Sequence, residues 1–359
     1  MNEKLINTFM EMVRLSSESG EEQGFISWLK DLFTRELGAE CGLDSYGNLI
    51  AKIPAKNASH SKPVLFGVHA DTVKPGKNIE PVLEGGVIRS KGDTILGADD
   101  KAGIAELFEA IRTAERHPPL EVVVTREEEI GLVGAKHLDT SSLRAKSGFL
   151  LDMDTLDAVV IGGPSHMIID VTIKGKAAHA GMEPEKGISA IKAASYAITI
   201  MKEGWIDGET TANVGIIHGG EIRNGVPENV EIKAECRSQT HDKCISQSEI
   251  IKRVFETAAA AIGAKADVRM ELAYKAVKIP EDAEVVAVAK RAVESIGLTP
   301  QVRVICGGTD ASIYNEKGVQ MVIVGTGARS EHSKEEHIYV EDMEKAVRMI
   351  HHIFQELSG

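Results

Sequence analysis

Cysteine is scarce in this chain. Cys41, Cys236, Cys244 and Cys306 form no C-x-x-C pair, and four thiols in 359 residues do not make a disulfide framework. Positive charge is also short. Against 54 Asp and Glu there are 41 Lys and Arg, a formal net charge of -13. That is the wrong sign for a nucleic-acid partner held through its phosphates. No apolar run approaches the roughly 20 residues that span a bilayer. The opening stretch MNEKLINTFMEMVRLSS alternates charged with apolar residues and lacks the apolar block of a signal peptide. Neither G-x-x-x-x-G-K-[ST] nor G-x-G-x-x-G stands between a strand and a helix, which disfavours nucleotide binding. These absences leave the expectation of a cytoplasmic protein that uses neither membrane nor nucleic acid. A hydrophobic content of 43% and a charged content of 26% are ordinary for a globular chain, here long enough for two domains.

The pattern of elements changes twice along the chain. In the first part, SSESGEEQGFISWLKDLFTRELGAE reads as an amphipathic helix stopped by Gly38. VLFGVH, LEVVVT and GFLL read as buried strands, and GADDKAGIAELFEAIRTAERH as a helix between the first two. Strands alternating with helices predict an α/β domain with a mostly parallel sheet. From about Gly163 the order becomes strand, helix, strand, strand, helix, strand, which describes a ferredoxin-like α+β unit. After residue 276 the α/β style returns and ends in a helix from Val340 to Leu357. The expected organisation is one domain over residues 1–163 and 276–359, interrupted by a second over 164–275.

Functional residues of an open α/β sheet lie beyond the carboxyl ends of its strands. His69 and Asp71 follow the first strand and point the same way, being two residues apart. Asp99 and Asp100 open a helix; Glu127, Glu128 and Glu129 follow LEVVVT; Asp152 and Asp154 follow GFLL; His332 and His337 come late, in EHSKEEH. Taken singly, each has a plain reading: Asp99 or Asp100 as a helix cap, REEE as a solvated turn, a late His as surface. Together they concentrate carboxylates and imidazoles at one sheet edge. Two neighbouring borderline metals such as zinc would neutralise that concentration, as in a two-metal hydrolytic site. HSKEEH is one residue too long for H-x-x-E-H, and Cys306 lacks any nucleophile signature.

The phrases HADTV, TILGADDKAGIA, TREEEIGLVGA, FLLDMD, AAHAGMEPEKGISAI, NVGIIHGGEIRNGVPE, ECRS, CGGTDA and EHSKEEHI resemble, in order, the signatures of the M20 metallopeptidases. TILGADDKAG is closest to the peptidase T branch, while the phrases after residue 163 follow the general family pattern. The resemblance implies a di-zinc catalytic domain, with Mn2+ or Co2+ as substitutes, and an inserted lid and dimerisation domain. It implies that His69 and Asp152 hold one ion, Glu129 and His332 the other, and Asp99 both, with a cis peptide after Asp99. Asp71 would orient His69, and Glu128 would be the general base. His179 would reach the partner subunit's site, and Asn224, Arg237 and Gly308 would meet the substrate. The implied activity is cleavage of short peptides by a homodimeric aminopeptidase. An N-acyl-amino-acid deacylase or carboxypeptidase, and a non-catalytic peptide-binding descendant, are the alternatives.

Overall fold

The computed structural model describes residues 2–58 and 62–359. The chain divides into two compact units. One comprises Met1–Gly162, Lys278–Val304 and Thr309–Gly359; the other comprises Gly163–Val277 and Ile305–Gly308.

The first unit is built on a sheet with the order Glu40–Leu43, Leu49–Ile53, Leu120–Thr125, Val64–His69, Ser147–Leu151, Gln320–Val324, Ala158–Gly163 and Val277–Lys278; Gln301–Val304 also pairs with Ala158–Gly163. The centre is parallel, with Val64–His69 between Leu120–Thr125 and Ser147–Leu151, and Gln320–Val324 beyond. Val64–His69 and Leu120–Thr125 are buried at every residue. Burial on both faces is why they read as apolar runs without alternation.

The flanks overturn the expectation of a mostly parallel sheet. This sheet is mixed, and the two smaller sheets are antiparallel. The reason is connection length. Glu40–Leu43 and Leu49–Ile53 are joined by a tight turn in which the Asp44 carboxylate accepts the N–H groups of Tyr46, Gly47 and Asn48, so the pair is an antiparallel hairpin. Residues 152–157 are too few for the crossover that parallel neighbours require. Ala158–Gly163 therefore returns antiparallel to Gln320–Val324. A four-stranded sheet holds Ala328–Arg329, His337–Tyr339, Val87–Ser90 and Pro81–Glu84. Its hairpin turns at Gly85 and Gly86, with φ of 58° and 81°, the left-handed pair that a two-residue turn demands.

Helices Gln23–Leu37, Ala98–Thr113 and Val340–Leu357 pack apolar faces into the core. Phe33 stacks on Phe108 at 5.8 Å, and Phe66 meets Phe354 edge-on at 5.6 Å. Gly38 ends the first of these helices with φ 63°. Among the described residues no helix is long and apolar enough to cross a membrane.

The second unit has a five-stranded antiparallel sheet in the order Gly204–Trp205, Thr210–Gly219, Asn229–Ser238, Ser165–Lys174 and Lys265–Tyr274. Burial alternates along Ser165–Lys174 and Asn229–Ser238, as expected for a sheet covered on one face. Ile169, Val171 and Ile232 form its core with Ala193 and Ala197 of helix Ala190–Ile200 and Ile251 and Phe255 of helix His241–Ala261.

The close pairing at the centre of the mixed sheet is testable. A Cβ on Gly148 would lie 1.9 Å from the Leu65 carbonyl oxygen on the neighbouring strand. Gly148→Ala must push these two strands apart. It should cost about 1–3 kcal/mol, the usual range for overpacking, read as a lower urea midpoint. An unchanged midpoint would mean that the strands separate freely.

Candidate metal centre

His69 is the last residue of its strand and is buried. Its Nδ1 lies 3.0 Å from the Asp71 carbonyl oxygen, so Nδ1 carries the proton and donates it. Nε2 faces Asp99 Oδ1 at 3.0 Å and Asp152 Oδ1 at 4.0 Å. Asp99 turns its other oxygen to His332 Nε2, 3.2 Å away, and that nitrogen lies 3.1 Å from Glu129 Oε1. Two ligand groups result, His69, Asp99 and Asp152 in one and Asp99, Glu129 and His332 in the other, each with its donor atoms within 4.8 Å of one another. Both contain Asp99. The mixture of imidazole nitrogen and carboxylate oxygen suits zinc and its neighbours.

The charges fit a cation at each position. His332 is pushed up to about 10 by its hydrogen bonds to Asp99 and Glu129. Burial opposes charge on His69, yet the Asp71 and Asp99 carboxylates raise it well above the usual range. The carboxylates thus favour positive charge at both Nε2 atoms. Burial, and then the carboxylates around it, push Asp152 up. Glu128 is buried beside these groups, and burial followed by the Asp152 charge raises it well above an ordinary glutamate. A divalent cation would relieve this repulsion.

Asp71 meets His69 Nδ1 through its backbone oxygen at 3.0 Å and its carboxylate at 3.5 Å. The two side-chain oxygens also accept Glu128 N–H at 2.9 Å, Glu129 N–H at 3.2 Å and the Ser19 hydroxyl at 2.7 Å. Asp71 therefore holds the turn that carries Glu128 and Glu129. The remainder of REEE is also fixed. Arg126 donates through Nε and Nη2 to buried Glu22 at 3.1 and 3.0 Å, and Glu127, at φ 53°, accepts the Tyr46 hydroxyl. The plain reading of this run as a solvated turn does not hold.

Asp100 is not in either ligand group; it accepts the His69 N–H at 3.1 Å. The peptide between Asp99 and Asp100 is cis. Asp154 and His337 stand outside the groups too, and His337 Nδ1 bonds the Glu335 carbonyl. Ser19, Glu22, Tyr46 and Glu336 were not singled out by sequence. They hold backbone and side chains from distant segments, for which sequence spacing offers no signal.

The remaining expected residues lie in the second unit. His179 is exposed, and its Nδ1 accepts the Gly181 N–H at 3.2 Å, leaving Nε2 as the protonated nitrogen. Residues 178–180 and 224–226 pair through Ala180 N–H to Asn224 O and Val226 N–H to Ala178 O. His179 and Asn224 thereby line one groove of about 620 Å3. Arg237 makes a fork onto Glu235, with Nε and Nη2 at 3.1 and 3.0 Å. At Gly308 a Cβ would sit 1.9 Å from the Tyr274 hydroxyl, so close packing alone requires glycine there.

The sequence profile of peptidase family M20/M25/M40 matches residues 65–356. The chain belongs to this family. It is a hydrolase of peptide bonds built around a dinuclear metal site, close to the peptidase T and tripeptidase branch. It is 39% identical to an uncharacterized protein, YqjE, of Bacillus subtilis, over the full length of both chains. The aminopeptidase PepT of Bacillus cereus is 40% identical, with a TM-score of 0.88 and 99% of each chain covered. A tripeptidase of Staphylococcus aureus is 34% identical, with a TM-score of 0.92 over 99% of this chain and 98% of that one.

Two measurements follow for this M20 protein. Stripping divalent ions with a chelator should lower the Tm, and two equivalents of zinc should restore it. Each ion at a hundredfold over its Kd contributes about 2.7 kcal/mol. A Tm indifferent to chelation would contradict the ligand groups. Asp71→Asn replaces one acceptor with an amide that faces N–H donors. It should lower kcat at least about tenfold, while a kcat equal to wild type would remove Asp71 from the support of Glu128.

Proposed function

We propose that this chain is a cytoplasmic, homodimeric, di-zinc aminopeptidase of the peptidase T type that acts on short peptides. The observation that carries the reading is the pair of ligand groups sharing Asp99, with a buried Glu128 next to Glu129, in a chain alike over 99% of its length to an aminopeptidase and a tripeptidase. His69 and Asp152 would hold one ion, Glu129 and His332 the other, and Asp99 would serve both. When bound, the ions polarise the scissile carbonyl and acidify water, the usual service of paired metals in hydrolysis.

The chain's own residues do the rest. Glu128 takes the proton of the attacking water and returns it to the leaving amine. Asp71 keeps Glu128 and Glu129 in register through their backbone N–H groups. His179 presents a protonated Nε2 for the oxyanion, and Asn224 in the same groove offers a side-chain amide to the substrate.

The second unit carries the features of an interface between two copies. Strand Gly204–Trp205 pairs with Thr211 and Ala212, and Glu203 accepts the Val214 N–H; among the described residues no strand pairs with the edge at 215–219, where Ile216 and Ile217 are exposed. Helix Ala190–Ile200 adds exposed Ile191, Tyr196 and Ile200. An open apolar edge of this kind calls for a covering partner. On this reading His179 serves the metal centre of the partner subunit.

A panel of tripeptides beside acetyl- and succinyl-amino acids, offered to the zinc-loaded protein, tests the substrate class. Turnover of free-amine tripeptides is expected, and turnover confined to the acyl compounds would replace this reading with a deacylase. Glu128→Ala should bind metal normally and lose at least about a hundredfold in kcat, whereas Glu129→Ala should weaken metal binding. Exchanged phenotypes would shift the base by one residue. His179→Ala and Glu128→Ala should each be nearly inactive, and mixed dimers of the two should regain activity. No recovery after proven subunit exchange would confine His179 to its own chain.

A further inference from the structure

We propose that Glu336 is a positioning residue for the metal centre: its carboxylate fixes the Gly97–Asp99 backbone and so sets Asp99 between the two imidazoles. This rests on the reading of Asp99 as the shared ligand.

The argument begins at the start of helix Ala98–Thr113. Its N-cap is Gly97, at φ 71°, which has no side chain to cap the first turn. Asp99 and Asp100 are non-helical, with φ/ψ of -78°/107° and -115°/26°. The first N–H groups of a helix have no partner within it, and here the Gly97 N–H is buried and the Asp99 N–H partly so. Glu336 supplies the acceptors from the far end of the chain. One carboxylate oxygen accepts the Gly97 N–H at 2.6 Å and the other the Asp99 N–H at 3.0 Å. The residue is 1% exposed. An acid so deeply buried is costly unless both oxygens are used, and here both are.

The second link is covalent. Glu336 lies four residues after His332 in the same loop, and the Glu336 N–H closes a turn on the Ser333 carbonyl. His332 itself has φ 59°, in the left-handed region that few residues other than glycine occupy. The loop that carries His332 is thereby fastened to the loop that carries Asp99. Asp71 does the same for Glu128 and Glu129, but Glu336 joins residues on both sides of one ligand group.

The test reads metal affinity rather than turnover. Apo-protein is titrated with Co2+, followed by visible absorption and by equilibrium dialysis, for wild type, Glu336→Gln, Glu336→Ala and Asp99→Ala. Glu336→Gln keeps the size and one acceptor, and should weaken one of the two ions by roughly tenfold. Glu336→Ala should weaken it by up to roughly a hundredfold and change the cobalt spectrum, the range expected when a residue that orients a ligand is lost. Wild-type affinity and spectrum in the Gln variant, with or without a lower Tm, would overturn the proposal and leave Glu336 a structural cap. Should the Ala variant fail to fold, the Gln titration decides. Wild-type binding of both ions by folded Asp99→Ala would instead overturn the shared-ligand reading, a result separate from the behaviour of the Glu336 variants.

Discussion

A buried backbone N–H must find an acceptor, and the turns that carry ligands at this sheet edge cannot supply their own. The structure answers with carboxylates from elsewhere in the chain. Asp71 receives Glu128 and Glu129, Asp100 receives His69, Glu336 receives Gly97 and Asp99, and Glu22 receives Gly20 and Glu127. A carboxyl group brings two oxygens to such a task, and an amide or hydroxyl brings one. The positions of the candidate ligands follow from these bonds. Asp99 stands between His69 and His332 because its backbone is held on one side by Glu336 and its neighbour Asp100 is tied to the His69 N–H.

That solution gathers negative charge, and the charge is unevenly shared. Asp99, hydrogen-bonded to both imidazoles, is held well below the usual carboxylate range despite its burial. Burial pushes Asp152 and Glu128 up, and the carboxylates near them add to the shift. Burial opposes charge on all three acids, and at Asp99 the bonds from two imidazoles outweigh it. The centre therefore contains one carboxylate that stays ionised on its own and others whose charge a cation would stabilise. This is the electrostatic counterpart of a ligand shared between two sites.

Much of this was legible in the sequence. His69, Asp99, Glu129, Asp152 and His332 each follow or open an element whose end could be read from its apolar run, and strand ends on one sheet edge must converge. Gly38 marked a helix end by its conformational freedom, and the helix Val340–Leu357 follows its periodic apolar face. Strand direction was not legible, because apolar runs look alike in parallel and antiparallel neighbours when both faces are covered. The information sat in the connections: the six residues between Leu151 and Ala158, and the Asp44 turn. Glu22, Glu336 and Ser19 were hidden for another reason. Glu336 accepts backbone N–H groups 239 and 237 positions away, Glu22 accepts one 105 positions away, and Ser19 donates to a carboxylate 52 positions away; such partners leave no signature in sequence spacing.

In the second unit the resemblance marks Arg237 and Gly308, and the side chains around them give each a local contact as well. Arg237 is forked onto Glu235, and Glu235 also lies 2.9 Å from His166 Nε2 on the adjoining strand. The hydrogen bond from His166, together with those from Arg237, lowers Glu235 to about 2. A glutamate whose folded pKa lies below its usual value stays ionised from neutral pH down to strongly acidic conditions, and its contribution fades only as pH falls through that lowered value. Arg237 thus keeps an internal carboxylate throughout the range in which a peptide would carry one. The pair takes two of the five N–H donors of the guanidinium, through Nε and Nη2, so it orients the fork without spending it.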